Sequence, residues 1–185
     1  MAEVREKQWT YSEYSTLGEG VIFEIIDGEK IMSPAPNRQH QDISSEIFFR
    51  LKKFVNEQNL GKVYSAPIDV VLAENQVVQP DVLFVSKERP NLLKPFGIDG
   101  APDLIMEIIS PSSVKYDRHV KLKLYEQANV REYWIIDGAN TSIEVFFKEG
   151  ESYELVSFAA ETGKVYSNLL KGFEVGIEEI MPKTF

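Results

Sequence analysis

The sequence predicts an α/β (α+β) fold, a mixed central β-sheet flanked by helices. Three observations carry this expectation. Apolar residues Ile43, Ile47, Leu51 and Val55 recur every four positions, the spacing of an amphipathic helix. Short apolar runs near 103–109 and 132–137 are bounded by turn-forming residues, as buried strands are. A second helical stretch lies between those two runs, so a crossover must join them and helices must cover the sheet's faces.

The elements follow in order. Residues 1–20 are a polar lead-in with one short helical turn. Residues 21–26 alternate as a strand, Asp27-Gly28 signals a two-residue hairpin turn, and 29–32 returns. Ser33-Pro-Ala-Pro-Asn breaks regular structure. The first helix spans about 39 to 59, its apolar stripe widened by Phe48, Phe54 and Leu60. Strands are expected at 62–65, 68–72 and 77–85, the last interrupted at Pro80, before a Pro- and Gly-rich loop over 87–101. Residues 103–109 read as a central strand. Ser110-Pro-Ser-Ser enters a second helix over 115–128, with Ser112 or Ser113 as cap and Val120, Leu124 and Ala128 facing inward. A strand at 132–137, a turn at 138–140 and a hairpin around Glu149-Gly150 come next. No repeat, low-complexity segment or long linker divides the 185 residues. One domain over 1–185 is expected: lead-in 1–20, core 21–148, C-terminal hairpin and tail 149–185.

Composition narrows the chemistry. Hydrophobic residues make up 43%, with eleven Phe, eight Tyr and two Trp, enough for a full core. The chain has no cysteine, which excludes disulfides and thiolate metal sites. Two histidines, His40 and His119, exclude a multi-His zinc site on one chain. Any metal site must rest mainly on oxygen ligands, which suits Mg²⁺, Mn²⁺ or Ca²⁺. Met1-Ala-Glu-Val-Arg-Glu-Lys lacks the apolar stretch of a signal, and no run approaches the roughly 20 apolar residues of a membrane span. A cytoplasmic protein is expected. The net charge of −9 argues against a broad nucleic-acid surface, so a DNA-binding face must be a local patch. Lys52-Lys53, Lys115 with Arg118, and Lys121 with Lys123 are the modest basic clusters.

Two Pro-Asp dipeptides, Pro80-Asp81 and Pro102-Asp103, each precede an apolar run. Glu107 stands inside the second run, with Ile105 and Ile109 expected on its own face. A carboxylate there is costly to bury unless it is paired or bound to a cation. A glutamate facing water on an edge strand is the commoner arrangement, and Asp after Pro is usually a turn or cap residue. Both acids adjoin apolar strands, however, and a metal shared between Asp81 and Glu107 is the simplest compensation. Asp117, Lys121 and Tyr125 follow at i, i+4 and i+8 and share one helix face. Alone they would be an ordinary surface pair. Directly after the Glu107 strand, they bring a lysine within reach of it.

Asp81, Glu107 and Lys121 in this order resemble the PD-(D/E)xK nuclease superfamily. More closely, the chain resembles a bacterial restriction-endonuclease family once catalogued as a domain of unknown function. The segments that carry the likeness are Phe23-Glu-Ile-Ile-Asp-Gly-Glu29, Ser33-Pro-Ala-Pro with His40, and Gln79-Pro-Asp-Val-Leu-Phe-Val85. They continue as Pro102-Asp-Leu-Ile-Met-Glu-Ile-Ile-Ser-Pro-Ser112, Asp117 with Lys121 and Tyr125, and Arg131-Glu-Tyr-Trp-Ile-Ile-Asp137. The resemblance implies a restriction-endonuclease-like core and divalent-metal hydrolysis of DNA phosphodiesters, with Mg²⁺ or Mn²⁺ as cofactor. By position it makes Asp81 and Glu107 the metal-binding acids and the Ile108 carbonyl a further ligand. One departure stands out: the superfamily lysine follows the second acid by two residues, where this chain has Ile109. Lys121 takes the role instead, with Lys123 as rival. Glu24, His40, Asp117 and Tyr125 are accessory candidates, with Glu46 behind Glu24. Enzymes of this fold often act as homodimers, and a homodimer is expected.

Other readings remain beside this one. A catalytically silent nuclease fold, acting as a nucleic-acid-binding or interaction module, fits the displaced lysine and the acidity. A glycosidase with paired carboxylates lacks the exposed aromatics of a sugar platform. A plain interaction protein would use the C-terminal hairpins and the tail Gly176-Ile-Glu-Glu-Ile-Met as a dimer edge.

Overall fold

The computed structural model describes residues 7–18, 21–32, 35–110, 114 and 116–181. The Ser33-Pro34 break and the cap candidates Ser112 and Ser113 lie outside these residues. A helical turn α1 (Tyr11–Tyr14) opens the chain, followed by the hairpin β1 (Glu24–Ile26) and β2 (Glu29–Ile31). Asp27 and Gly28 both take positive φ, 53° and 78°, as the tight hairpin turn requires. Helix α2 (Arg38–Glu57) begins at Asn37, whose Oδ1 accepts a hydrogen bond from His40 N. Strands β3 (Gly61–Ser65), β4 (Asp69–Ala73), β5 (Gln76–Val78) and β6 (Val82–Ser86) follow.

The stretch expected as a loop, 87–101, is more ordered than its Pro and Gly content suggests. It holds a 3₁₀ turn (Pro90–Leu92) and two short strands, β7 (Leu93–Lys94) and β8 (Gly97–Asp99). β8 is recruited by parallel pairing with β4, a long-range partner that local composition does not encode. Next come β9 (Leu104–Ile109) and the second helix. That helix starts as a π-helical stretch (Tyr116–Lys121) and continues as α3 (Leu122–Gln127). Strands β10 (Glu132–Asp137), β11 (Ser142–Glu149), β12 (Ser152–Ala160), β13 (Lys164–Tyr166) and β14 (Glu174–Gly176) lead to a last turn, α4 (Ile177–Ile180).

The strands form two large sheets rather than one. The first has order β12-β11-β10-β9-β6-β3 and the second β2-β1-β5-β4-β8-β7; β13 and β14 pair separately. Both large sheets are mixed: β9–β10 and β4–β8 are parallel, the remaining pairs antiparallel. Alternation sorts the first sheet's side chains. Leu104, Met106 and Ile108 pack on one face with Ile43, Ile47, Leu51 and Val55 of α2. Ile105 and Ile109 pack on the other with Leu124 and Tyr125 of α3 and with Ile26, Val70 and Val78 of the second sheet. The far face of the second sheet is closed by Tyr14 and Phe23.

The tail residues that a plain interaction protein would use as a dimer edge are part of the chain's own core. Ile177 and Ile180 are buried on the α2 side, and Glu174–Gly176 pairs with β13. Their apolar surface is therefore spent internally. Tyr133 and Trp134 are fully buried and belong to the core. Among the described residues no helix is long and apolar enough to cross a membrane.

Candidate active site

Glu107 points from β9 into the apolar layer between the two large sheets and is buried there. Its Oε1 accepts hydrogen bonds from Lys121 Nζ at 2.9 Å and from the Tyr125 hydroxyl at 2.7 Å. Glu24 arrives from the other sheet. On β1, Ile26 packs in this same layer and Ile25 in the one behind, so alternation turns Glu24 toward Glu107. Glu24 Oε1 lies 3.0 Å from Lys121 Nζ and accepts a hydrogen bond from Gln79 N at 2.9 Å. Asp117 Oδ1 is 3.6 Å from the same ammonium. Lys121 therefore sits among three buried carboxylates, supplied by β9, β1 and its own helix.

Asp81 borders this cluster for a backbone reason. The β6–β9 ladder ends at the Val82–Met106 pair, and Pro80 has no N–H to extend it. The Asp81 side chain takes the next place: Oδ2 accepts a hydrogen bond from Ile108 N at 2.8 Å. This holds Asp81 one residue from Glu107. His40 Nε2, in the first turn of α2, lies 3.1 Å from the same oxygen. His40 Nδ1 is buried without a partner among the described residues.

Acid outnumbers base here, and the proton affinities reflect it. Burial pushes the Glu107 carboxyl up to about 8; Lys121 pulls it down, while Asp117, Asp81 and Glu24 push it further up. Burial disfavours the Lys121 ammonium, yet Glu107, Glu24 and Asp117 together hold its pKa well above the ordinary lysine value. Burial also disfavours charged His40, and the Asp81 carboxylate outweighs it and raises the histidine. Tyr125 is raised by burial first and then by Glu107, so its hydroxyl is a donor and not a base.

A divalent cation suits this surplus of hard oxygen. Asp81, Glu107, Glu24 and the Ile108 backbone offer carboxylate and carbonyl donors, the set Mg²⁺ and Mn²⁺ prefer. Among the described residues no three acidic or histidine side chains already form a metal cage. Two carboxylates, a carbonyl and water are a common ligand set for Mg²⁺, and Asp81, Glu107 and Ile108 are the residues that would supply the protein's part of it.

The structure thus brings together Asp81, Glu107, Lys121, Glu24, His40, Asp117 and Tyr125. The π-helical start does not spoil the convergence of Asp117, Lys121 and Tyr125, since all three still approach or ring Glu107. Lys123 is exposed, and Glu46 pairs with Arg50 at 2.8 Å. The basic clusters are partly consumed inside the fold. Lys121 is buried, and Arg118 binds Asp137 at 3.4 Å and also Glu144. Asp103, the acid of the second Pro-Asp, is structural: it accepts Ser86 N at 2.9 Å and pairs with Arg89 at 3.1 Å. Sequence reasoning missed Gln79 as the link to Glu24. Its only signal was adjacency to Pro80-Asp81.

Comparisons with known proteins agree with this architecture. No curated protein matches the chain. A solved structure from Anabaena variabilis ATCC 29413, described as a "putative nuclease belonging to DUF820", is similar at a TM-score of 0.76. It shares 20% identity over 92% of this chain and 96% of that one, a likeness of fold. A profile of the Uma2 family, described as "Putative restriction endonuclease", matches residues 10–178. The match spans nearly all the elements above, and the chain belongs to the Uma2 family.

Proposed function

We propose that the protein is a divalent-metal-dependent endonuclease that hydrolyses DNA phosphodiester bonds. Asp81, Glu107 and the Ile108 carbonyl hold the ion, and Lys121 is the catalytic lysine. The observation that carries this reading is Lys121 Nζ at 2.9 Å from Glu107 Oε1 beside Asp81. It restores the acid, acid and lysine set although Ile109 stands at the usual lysine position.

Mg²⁺ or Mn²⁺, when bound, polarises the scissile phosphate and lowers the pKa of a bound water. The chain's own residues do the rest. Lys121 keeps its proton and donates to the attacking water or to the developing phosphorane charge. Asp117 and Glu24 hold that ammonium in place, and Tyr125 fixes the orientation of Glu107. His40, beside Asp81, is an accessory donor toward the phosphate.

The test is cleavage of plasmid and single-stranded DNA with Mg²⁺ and with Mn²⁺, comparing wild type with Asp81→Asn, Glu107→Gln and Lys121→Ala. Loss of cleavage in all three folded variants supports the assignment. Equal cleavage in all four proteins defeats it.

One observation favours a second reading, a catalytically silent fold used as a binding or interaction module. Lys121 is engaged by Glu107, Glu24 and Asp117 at once, with its side chain only 8% exposed. A lysine so fully paired is also what a purely structural role would show. Under that reading no variant cleaves, wild type included.

A further inference from the structure

A second feature lies beside this site and is absorbed by none of the roles above. Between α1 and the β4-β8-β7 end of the second sheet is a cleft of about 670 Å³. Its walls include Tyr11, Tyr14, Tyr64 and Phe96, and Asp69 and Gln79 also line it. Gln79 Nε2 donates to Asp69 Oδ1 at 2.7 Å, and the Tyr14 hydroxyl donates to the same oxygen at 3.3 Å. Both bonds end on Oδ1, and Asp69 itself lines the cleft. Gly97 sets the wall. Its φ is +151°, and a Cβ there would stand 2.3 Å from Asp69 O. Only glycine lets the β7–β8 turn come this close and carry Phe96, 49% exposed, to the mouth. The Tyr11 and Phe96 rings are 5.4 Å apart, centroid to centroid.

The cleft is joined to the candidate active site through one residue. Gln79 presents its side chain here, while its backbone N binds Glu24. Two residues on is Asp81, at most ~7 Å along the chain.

We propose that this cleft is a subsite for an unpaired nucleobase bearing an exocyclic amine, cytosine being the best fit. The base belongs to a strand whose backbone crosses the Asp81–Glu107 site, and in that respect the inference rests on the nuclease reading. The chemistry selects a base over other occupants. Aromatic walls stack any base without regard to sequence. The Asp69 carboxylate repels a phosphate but accepts from an amino group such as cytosine N4. The Gln79 amide holds Asp69 in place, donating to it and to the Tyr14 hydroxyl, and the Tyr11 hydroxyl in the same lining is the donor for a ring nitrogen or carbonyl. A guanidinium or ammonium would use the acceptor and the aromatics but meet a like charge in Lys94, which also lines the cleft. Burial and the carboxylates of Asp69, Asp99 and Glu74 raise the Tyr11 hydroxyl, which keeps it a donor as well.

The test is metal-free fluorescence anisotropy with labelled single-stranded oligomers of deoxycytidine and of thymidine, so that no turnover intervenes. Wild type should bind the deoxycytidine oligomer about tenfold more tightly, the discrimination one good base-edge pair supplies. Asp69→Asn should abolish that preference. Phe96→Ala, at a half-exposed ring, should weaken both oligomers several-fold in the folded variant. Equal binding of the two oligomers by wild type overturns the proposal. So does unchanged binding by Phe96→Ala, or competition by an arginine-rich peptide that outstrips both oligomers. If the preference holds while no cleavage occurs with Mg²⁺, the subsite stands and the nuclease reading falls. If cleavage occurs without the preference, the reverse is true.

Discussion

Lys121 Nζ reaches Glu107 Oε1 at 2.9 Å from the helix that follows β9, not from β9 itself. The helix can do this because it crosses the same sheet face that Glu107 occupies, with Leu124 and Tyr125 packed on Ile105 and Ile109. Removing the ammonium leaves the buried carboxyl groups of Glu107, Glu24 and Asp117 without the cation they share. Lys121→Met should therefore lower stability by about 3–5 kcal/mol, the usual cost of breaking a buried pair from one side. The double variant Lys121→Met with Glu107→Gln should recover much of that loss. Urea unfolding of wild type, the two single variants and the double variant measures both quantities, and additive losses would disconnect the two residues.

A pH dependence follows from the acid surplus. The Glu107 carboxyl titrates at about 8 in the fold and near 4.5 when unfolded. Between those values the folded chain binds more protons than the unfolded one, so stability falls as pH rises through the window. The raised His40 adds a loss of the same sign. Thermal unfolding of the metal-free protein should show a falling Tm from about pH 5 to about pH 8. Glu107→Gln should flatten most of the slope, and a slope unchanged by that substitution would remove Glu107 as its source. Metal affinity should run the other way, rising with pH as the ligand ionises.

A second buried carboxylate has a different task. Glu132 accepts hydrogen bonds from Trp134 Nε1 at 2.8 Å, Ser167 Oγ at 2.6 Å, and the backbone of Asn168 and Leu169 at 2.7 Å each. It ties the C-terminal segment to β10. Glu132→Ala strands four donors and should cost about 2–4 kcal/mol. Binding of Mn²⁺ at low temperature should stay at the wild-type level, measured on the fraction that remains folded. A loss of metal binding equal to that of Asp81→Asn would mean that the two regions are coupled.

The contrast between these two glutamates shows what the sequence could and could not reveal. Glu107 was legible because it interrupts an apolar run of period two, and Lys121 because its spacing from Asp117 and Tyr125 marks one helix face. Glu132 stands at the head of its strand, where a charge is unremarkable; its four partners come from residues 134 and 167–169, brought together only by the fold. The same holds for β8, whose pairing with β4 is long-range, for β7, which pairs with β8, and for Gln79, which acts partly through its backbone. Asp81 is intermediate. Its position beside Pro80 was visible, but its hydrogen bond to Ile108 N depends on where the β6–β9 ladder stops.

The Asp81–Glu107 ion site is tested most directly by a Mn²⁺ titration followed by electron paramagnetic resonance, on wild type, Asp81→Asn, Glu107→Gln and Glu132→Ala. If Asp81 and Glu107 hold a catalytic ion, wild type and Glu132→Ala bind Mn²⁺ alike, and each of the other two binds at least about tenfold more weakly. Equal Mn²⁺ binding by all four proteins, or none by wild type, would mean that these two acids hold no such ion.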